Sequence, residues 1–90
     1  MIVEFDKSFS KSLDKFSDSE LNKRIEKVIN DYENVQSVNE IKNTKKLTGF
    51  KNYYRTRIGD YRLGFELINS TTIRLVIFAH RKDIYRGFPK

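Results

Sequence analysis

Ninety residues leave room for one domain, spanning 1–90, and the absence of cysteine together with a single histidine argues against disulfide staples and against a dedicated zinc site. The net charge of +6 sits in one half: residues 45–90 hold eleven Lys/Arg against three Asp/Glu, whereas residues 1–44 hold seven against nine. Such an asymmetry points to a polyanionic partner. No apolar run reaches 18 residues and the N-terminus lacks the basic-then-apolar pattern of a signal peptide, so a soluble, cytoplasmic protein without membrane attachment is expected.

Ile2 to Phe5 is a short β-prone start, and Asp6 or Ser8 can cap a first helix with Phe9, Leu13 and Phe16 on one face. Ser17-Asp18-Ser19-Glu20 has the form of a capping box, with Ser17 as cap. The second helix that follows carries Leu21, Ile25, Val28, Ile29 and Tyr32 as an amphipathic stripe of about three turns, suited to packing on a core. Residues 34–44 are polar and read as a connection from which Val38 and Ile41 dip inward.

From Leu47 the period becomes two. Tyr53 to Ile58 alternates, Gly59-Asp60 breaks the pattern, Tyr61 to Ile68 alternates again, and Asn69 to Thr72 is a second turn. Ile73 to Ala79 is nearly continuously apolar, as in a strand buried on both faces. The order predicts an α+β fold: an N-terminal strand, two helices, then a three-stranded antiparallel meander, forming one sheet backed by the helices.

A two-residue turn at Gly59-Asp60, of type II′ with glycine first, sets Ile58 opposite Tyr61 and Arg57 opposite Arg62. Arg55, Arg57 and Arg62 then share a face, because side chains directly across a ladder point the same way. Like charges so placed destabilise a sheet, and Glu66 on that face can neutralise only one of them. Guanidinium forks match phosphate oxygens, so the cluster reads as an anion site. The next hairpin leaves two alternatives open: a two- or four-residue loop adds Ala79 and Arg81 to the arginine face, whereas a three-residue loop adds His80, the one side chain that ordinarily titrates near neutrality.

Three segments carry a family resemblance: Lys46-Leu47-Thr48-Gly49-Phe50, Tyr54-Arg55-Thr56-Arg57-Ile58-Gly59-Asp60-Tyr61-Arg62-Leu63, and His80-Arg81-Lys82-Asp83-Ile84-Tyr85-Arg86. In this order and spacing the chain resembles the RelE/ParE superfamily of toxins from toxin–antitoxin pairs, and its RelE branch most. The resemblance implies a RelE-like sheet backed by two helices and a cognate antitoxin that wraps the toxin. It also implies a ribosome-dependent endoribonuclease that cuts messenger RNA in the ribosomal A site through the ribose 2′-hydroxyl, with no metal or other cofactor. Operator DNA would be reached only through the antitoxin.

Residue by residue, Arg62 matches the arginine that stabilises charge on the scissile phosphate, Arg81 the arginine assigned to that phosphate and the leaving group, and Tyr85 the tyrosine that stacks on a base, at a shorter spacing from Arg81 than in the best-studied members. Arg55 and Arg57 stand at positions often occupied by lysine. Arginine stays charged and is a poor general base, so a lysine-as-base mechanism does not carry over. Lys46, Lys51, His80 and Glu66 remain as candidates, with His80 the expected proton carrier. Arg55, Arg57, Lys46, Lys51, Lys82 and Arg86 are the expected RNA-binding groups. Two other readings stand beside this one: a non-nucleolytic poison of DNA gyrase like the ParE branch, and a degenerate toxin retaining only antitoxin binding.

Overall fold

The computed structural model describes residues 1–89. In chain order it has β1 (Ile2–Phe5), α1 (Lys7–Leu13), α2 (Ser19–Asn34), a 3₁₀ turn at Val38–Glu40, β2 (Thr44–Lys46), β3 (Tyr53–Ile58), β4 (Tyr61–Asn69), β5 (Thr72–His80) and a second 3₁₀ turn at Ile84–Arg86. The strands form one sheet in the order β1-β5-β4-β3-β2, with β1 parallel to β5 and every other pair antiparallel. The α+β class and the meander are as expected.

The extra strand is β2, which falls partly in the stretch read as a connection. Its three residues Thr44, Lys45 and Lys46 show no apolar alternation, because a short lysine-bearing strand at a sheet edge has little to bury. The cap of α2 also differs. Asp18, not Ser17, accepts hydrogen bonds from the amides of Glu20 (2.9 Å) and Leu21 (3.3 Å). Asp caps as well as Ser, and a start one residue later leaves Glu20 in the first turn, where its charge suits the helix dipole but no box can close. Asp6 caps α1 by accepting from the Ser8 amide at 3.0 Å. Phe16 lies beyond α1, on a turn whose amide returns to the Leu13 carbonyl at 2.9 Å, and still packs edge-on against Tyr61 and Phe78.

Both helices cover one face of the sheet. Phe9 from α1, Leu21, Ile25 and Tyr32 from α2, Ile41 from the connection, and Ile58, Leu63, Phe65, Ile73, Leu75 and Phe78 from the strands make the main core. The Tyr32 hydroxyl donates to Thr56 Oγ1 at 2.6 Å, and Thr56 Oγ1 lies 2.8 Å from Thr44 Oγ1, a buried polar chain that ties α2 to β3 and β2. Burial of that phenol drives its pKa above the ordinary tyrosine value, with the hydrogen bond to Thr56 opposing the rise.

The other face carries a second, smaller core of Leu47, Ile84 and Phe88, packed with Tyr53, Val76, Ile77 and Ala79. The chain after β5 therefore folds back over the sheet and covers part of it. Gly64 makes room: a Cβ there would stand 2.7 Å from the Phe88 ring. A glycine inside a strand marks a close approach, and here the thing approaching is an aromatic plug only 1% exposed. Full burial of a ring of that size contributes about 1.5–3 kcal/mol.

Candidate functional site

The site is built on the β3–β4 hairpin. Gly59, at φ 59°, takes the left-handed position of a two-residue turn, and the ladder pairs Ile58 with Tyr61, Arg57 with Arg62 and Arg55 with Gly64, as expected. The β4–β5 turn is also two residues long, with Asn69 opposite Thr72. Two irregularities follow, one between Leu67 and Asn69 and one between Gly64 and Phe65, and they cancel. At the site end Arg62 therefore pairs with Ala79 and Tyr61 with His80. The second irregularity leaves Val76 out of register, and Ser8 Oγ donates to its carbonyl at 2.6 Å.

This register decides between the two alternatives left by the sequence. Arg81 follows Ala79 on the arginine face, with its amide bonded to the Asp60 carbonyl at 2.9 Å. His80 does not join the arginines. It points to the helix side, where its ring meets Tyr61 edge-on at 5.6 Å and its Nδ1 accepts from the Lys82 amide at 3.2 Å.

Arg62 is the centre of the cluster. Its pKa is lowered from the usual arginine value by desolvation first, and then by the fields of Arg55, Arg57 and Arg81, with Tyr85 acting in the opposite sense. Those four side chains are thus its electrostatic neighbours, while burial and like charge both disfavour its protonated form. One terminal nitrogen of Arg62 donates to the Gly59 carbonyl at 3.0 Å and to the Tyr61 carbonyl at 2.8 Å, which folds the guanidinium onto its own turn.

No carboxylate forms an ion pair with Arg55, Arg57, Arg62 or Arg81 among the described residues. Among the described residues the ion pairs are Arg74 with Glu4 at 3.2 Å and Arg86 with Asp83 at 3.6 Å, and neither involves the cluster. Glu66 shares the face but stands opposite Tyr53 and Arg74, further along the strand from Arg62. Guanidinium groups grouped in this way are chemically suited to a phosphate-sized anion, which can take several charge-assisted hydrogen bonds at once.

The other expected residues are distributed around this centre. Arg55, Lys46 and Tyr85 line one cavity of about 240 Å³ with Leu47, Thr48, Phe50 and Pro89. Lys51 lies at the outer rim of the same loop, beside Phe50. Arg86 and His80 line a different cavity, with Lys15 and Asp83, and Arg86 is engaged with Asp83. Lys82 is exposed on the turn after β5. Sequence reasoning missed Lys45, which the β2–β3 ladder pairs with Arg55 while Lys46 pairs with Tyr54. It also missed Phe88 as the anchor of the segment bearing Arg81 and Tyr85, for which Gly64 inside a strand was the available signal.

Chemically the arrangement stabilises negative charge. Guanidinium groups bind and polarise negative charge and are poor general bases. No group of three or more His, Cys, Asp or Glu side chains suited to a metal occurs among the described residues. Among those residues no helix is long and apolar enough to cross a membrane.

Comparison with known proteins agrees with this geometry. A family described as the ParE toxin of the type II toxin–antitoxin system parDE matches residues 3–85. Toxin RelE3 of Methanocaldococcus jannaschii is 43% identical over 90 residues, covering 99% of this chain and 100% of that protein. The RelB–RelE antitoxin–toxin complex from Methanococcus jannaschii contains a similar structure, with a TM-score of 0.77, 41% identity, and coverage of 96% of this chain and 99% of that one. The RelE–RelB complex from Pyrococcus horikoshii OT3 shares the fold at a TM-score of 0.69 and 23% identity, over 89% and 93% of the two chains. The chain belongs to the ParE/RelE family of toxins of type II toxin–antitoxin systems and is RelE-like.

Proposed function

We propose that this toxin is a metal-independent endoribonuclease that cleaves messenger RNA in the ribosomal A site and is held in check by a cognate antitoxin. The observation that carries the reading is the convergence of Arg55, Arg57, Arg62 and Arg81 beside Tyr85, with none of the four in an ion pair among the described residues. In the reaction the ribose 2′-hydroxyl oxygen bonds to the adjacent phosphorus and the bond to the 5′-oxygen breaks, leaving a 2′,3′-cyclic phosphate and a 5′-hydroxyl. The nucleophile's proton passes to solvent, and the leaving oxygen takes one from solvent. Arg62 stabilises the charge on the phosphorane oxygens, and Arg81 stabilises the charge that builds on the leaving oxygen. Tyr85 stacks on a base, and the ribosome supplies the alignment of attacking and leaving groups. We assign no proton transfer to His80, since its ring lies on the opposite face of the sheet from Arg62.

Relatives solved as RelB–RelE complexes support an antitoxin partner, and the basic half of this chain calls for an acidic one. The match to a ParE family favours a second reading, a gyrase poison without nuclease activity. A translation extract separates the two. Truncated messages at A-site codons are expected, with Arg62→Ala lowering cleavage roughly 10²–10³-fold, the scale of losing one preorganised charge-stabilising donor. His80→Ala is expected to cleave like the parent. Intact message together with inhibited DNA supercoiling would establish the poison, and neither effect would leave a toxin that acts only through its antitoxin.

A further inference from the structure

We propose that Phe50 and Tyr85 together form a slot for one unstacked nucleobase of single-stranded RNA, which makes Phe50 a base-contacting, specificity-determining residue. The inference rests on the ribonuclease reading above and extends it to a side chain that the family motifs do not assign.

Among the described residues few large apolar side chains are exposed. Ile2, Phe5 and Ile68 lie on β1 and at the far end of β4, whereas Phe50 and Tyr85, 45% and 59% exposed, border the same cavity. Lys46 and Arg55 line that cavity too. Aromatic faces beside cations suit a nucleotide, whose base stacks while its phosphate is taken by the charges. Arg55 joins the two parts of the site: it lines the aromatic cavity and also acts on Arg62 at the centre of the arginine cluster. A base held here belongs to the strand whose phosphate reaches Arg62. The surrounding positive charge favours this occupant over an apolar protein side chain.

Phe50 is also preorganised. The loop that carries it is closed by the Leu47 amide donating to the Tyr53 carbonyl at 2.8 Å and the Phe50 amide donating to the Leu47 carbonyl at 3.3 Å. Gly49 turns the chain at φ 85°, a conformation open to glycine at little cost. The Phe50 ring meets Tyr53 edge-on at 6.1 Å, and Tyr53 in turn meets the buried Phe88 edge-on at 5.5 Å. One wall of the slot is thereby braced against the second core before any ligand arrives, which lowers the ordering cost of binding.

The chain contains no tryptophan, so Phe50→Trp introduces a single indole reporter. The probe is a short, non-cleavable 2′-O-methyl oligoribonucleotide at low salt, with binding followed by anisotropy of a dye on the probe. Quenching of the indole on binding is expected. Phe50→Ala and Phe50→Leu should both weaken binding roughly ten- to a hundredfold, the scale of one base–aromatic stack, with leucine failing because it lacks a π face. Unquenched indole in a probe-bound protein, or parental affinity in either variant, would overturn the slot while leaving the ribonuclease reading intact. Loss of antitoxin binding in Phe50→Ala with unchanged probe affinity would make this surface a protein contact and would also overturn it. A parent protein that fails to bind the probe would overturn the slot, while cleavage in the translation extract reports separately on the ribonuclease reading.

Discussion

The two faces of the sheet are closed in different ways. The helix side is sealed by α1 and α2 over a broad apolar core, and its buried polar atoms, such as those of Tyr32 and Thr56, are paired. The opposite side is covered only in part, by Ile84 and Phe88 from the chain after β5, and beside them stand Arg55, Arg57, Arg62 and Arg81, none of which takes part in an ion pair among the described residues. One face secures the fold. The other combines a small structural lock with a charged surface that a stability argument alone does not explain.

The sharpest way to break this contrast is to remove one fully buried phenylalanine from each side. Phe65→Ala on the helix side should cost about 3–5 kcal/mol of global stability, read as a lower denaturant midpoint with two-state unfolding retained. Phe88→Ala removes a ring of the same size, yet the segment it anchors can lift off while the main core stays closed. The expected global loss is smaller, with faster amide exchange confined to residues 81–86 and a drop in cleavage as Arg81 and Tyr85 leave Arg62. Gly64→Ala should reproduce the second pattern, because the added methyl meets the Phe88 ring at 2.7 Å. Equal global losses for Phe65→Ala and Phe88→Ala would show that the two cores form one cooperative unit.

The second effect is a pH dependence on the helix side alone. Tyr32 has its pKa raised by burial, so above pH ~10, the unfolded tyrosine value, the unfolded chain releases a proton that the folded chain keeps. The stabilisation is complete below that pH and is lost as pH rises past it, by up to about 1.4 kcal/mol per pH unit from this one group. Urea midpoints measured from pH 9 to 11 should fall more steeply for the parent than for Tyr32→Phe. Parallel curves would mean that the phenol is not sealed from water.

The uneven closure also explains what was legible in the sequence. Helical stripes and strand alternation report burial on one side, so the helix-side core could be read from Phe9, Leu21, Ile25, Tyr32, Leu63 and Phe65. The Gly59-Asp60 turn carried its own register, and with it the pairing of Arg57 with Arg62. The third hairpin was different: its face assignment depends on two irregularities that cancel, and nothing in a run that is apolar on both sides marks where a residue is skipped. Hence the place of His80 stayed open. β2 was hidden by its polarity, and Phe88 by its isolation from any periodic segment. Its partner Gly64 was the clue, readable only as a vacancy in a strand that something else must fill.

The smallest expected effect bears most directly on the charged face. If the arginines are held together for a ligand, removing one should stabilise the empty protein. Arg57 is the choice because it is exposed and stands directly across the ladder from Arg62, so its replacement relieves repulsion with little loss of packing. Arg57→Gln should raise the urea midpoint by an amount worth about 0.2–1 kcal/mol at an unchanged slope, the range for cross-strand pairs. The gain should shrink as salt rises toward 1 M, where the screening length falls to roughly 3 Å. Inorganic phosphate should reverse the order, because an anion that binds only the folded state stabilises the parent more than the variant. A destabilised Arg57→Gln would mean that the arginine is held by a favourable contact, and the charged face would then need no ligand to account for it.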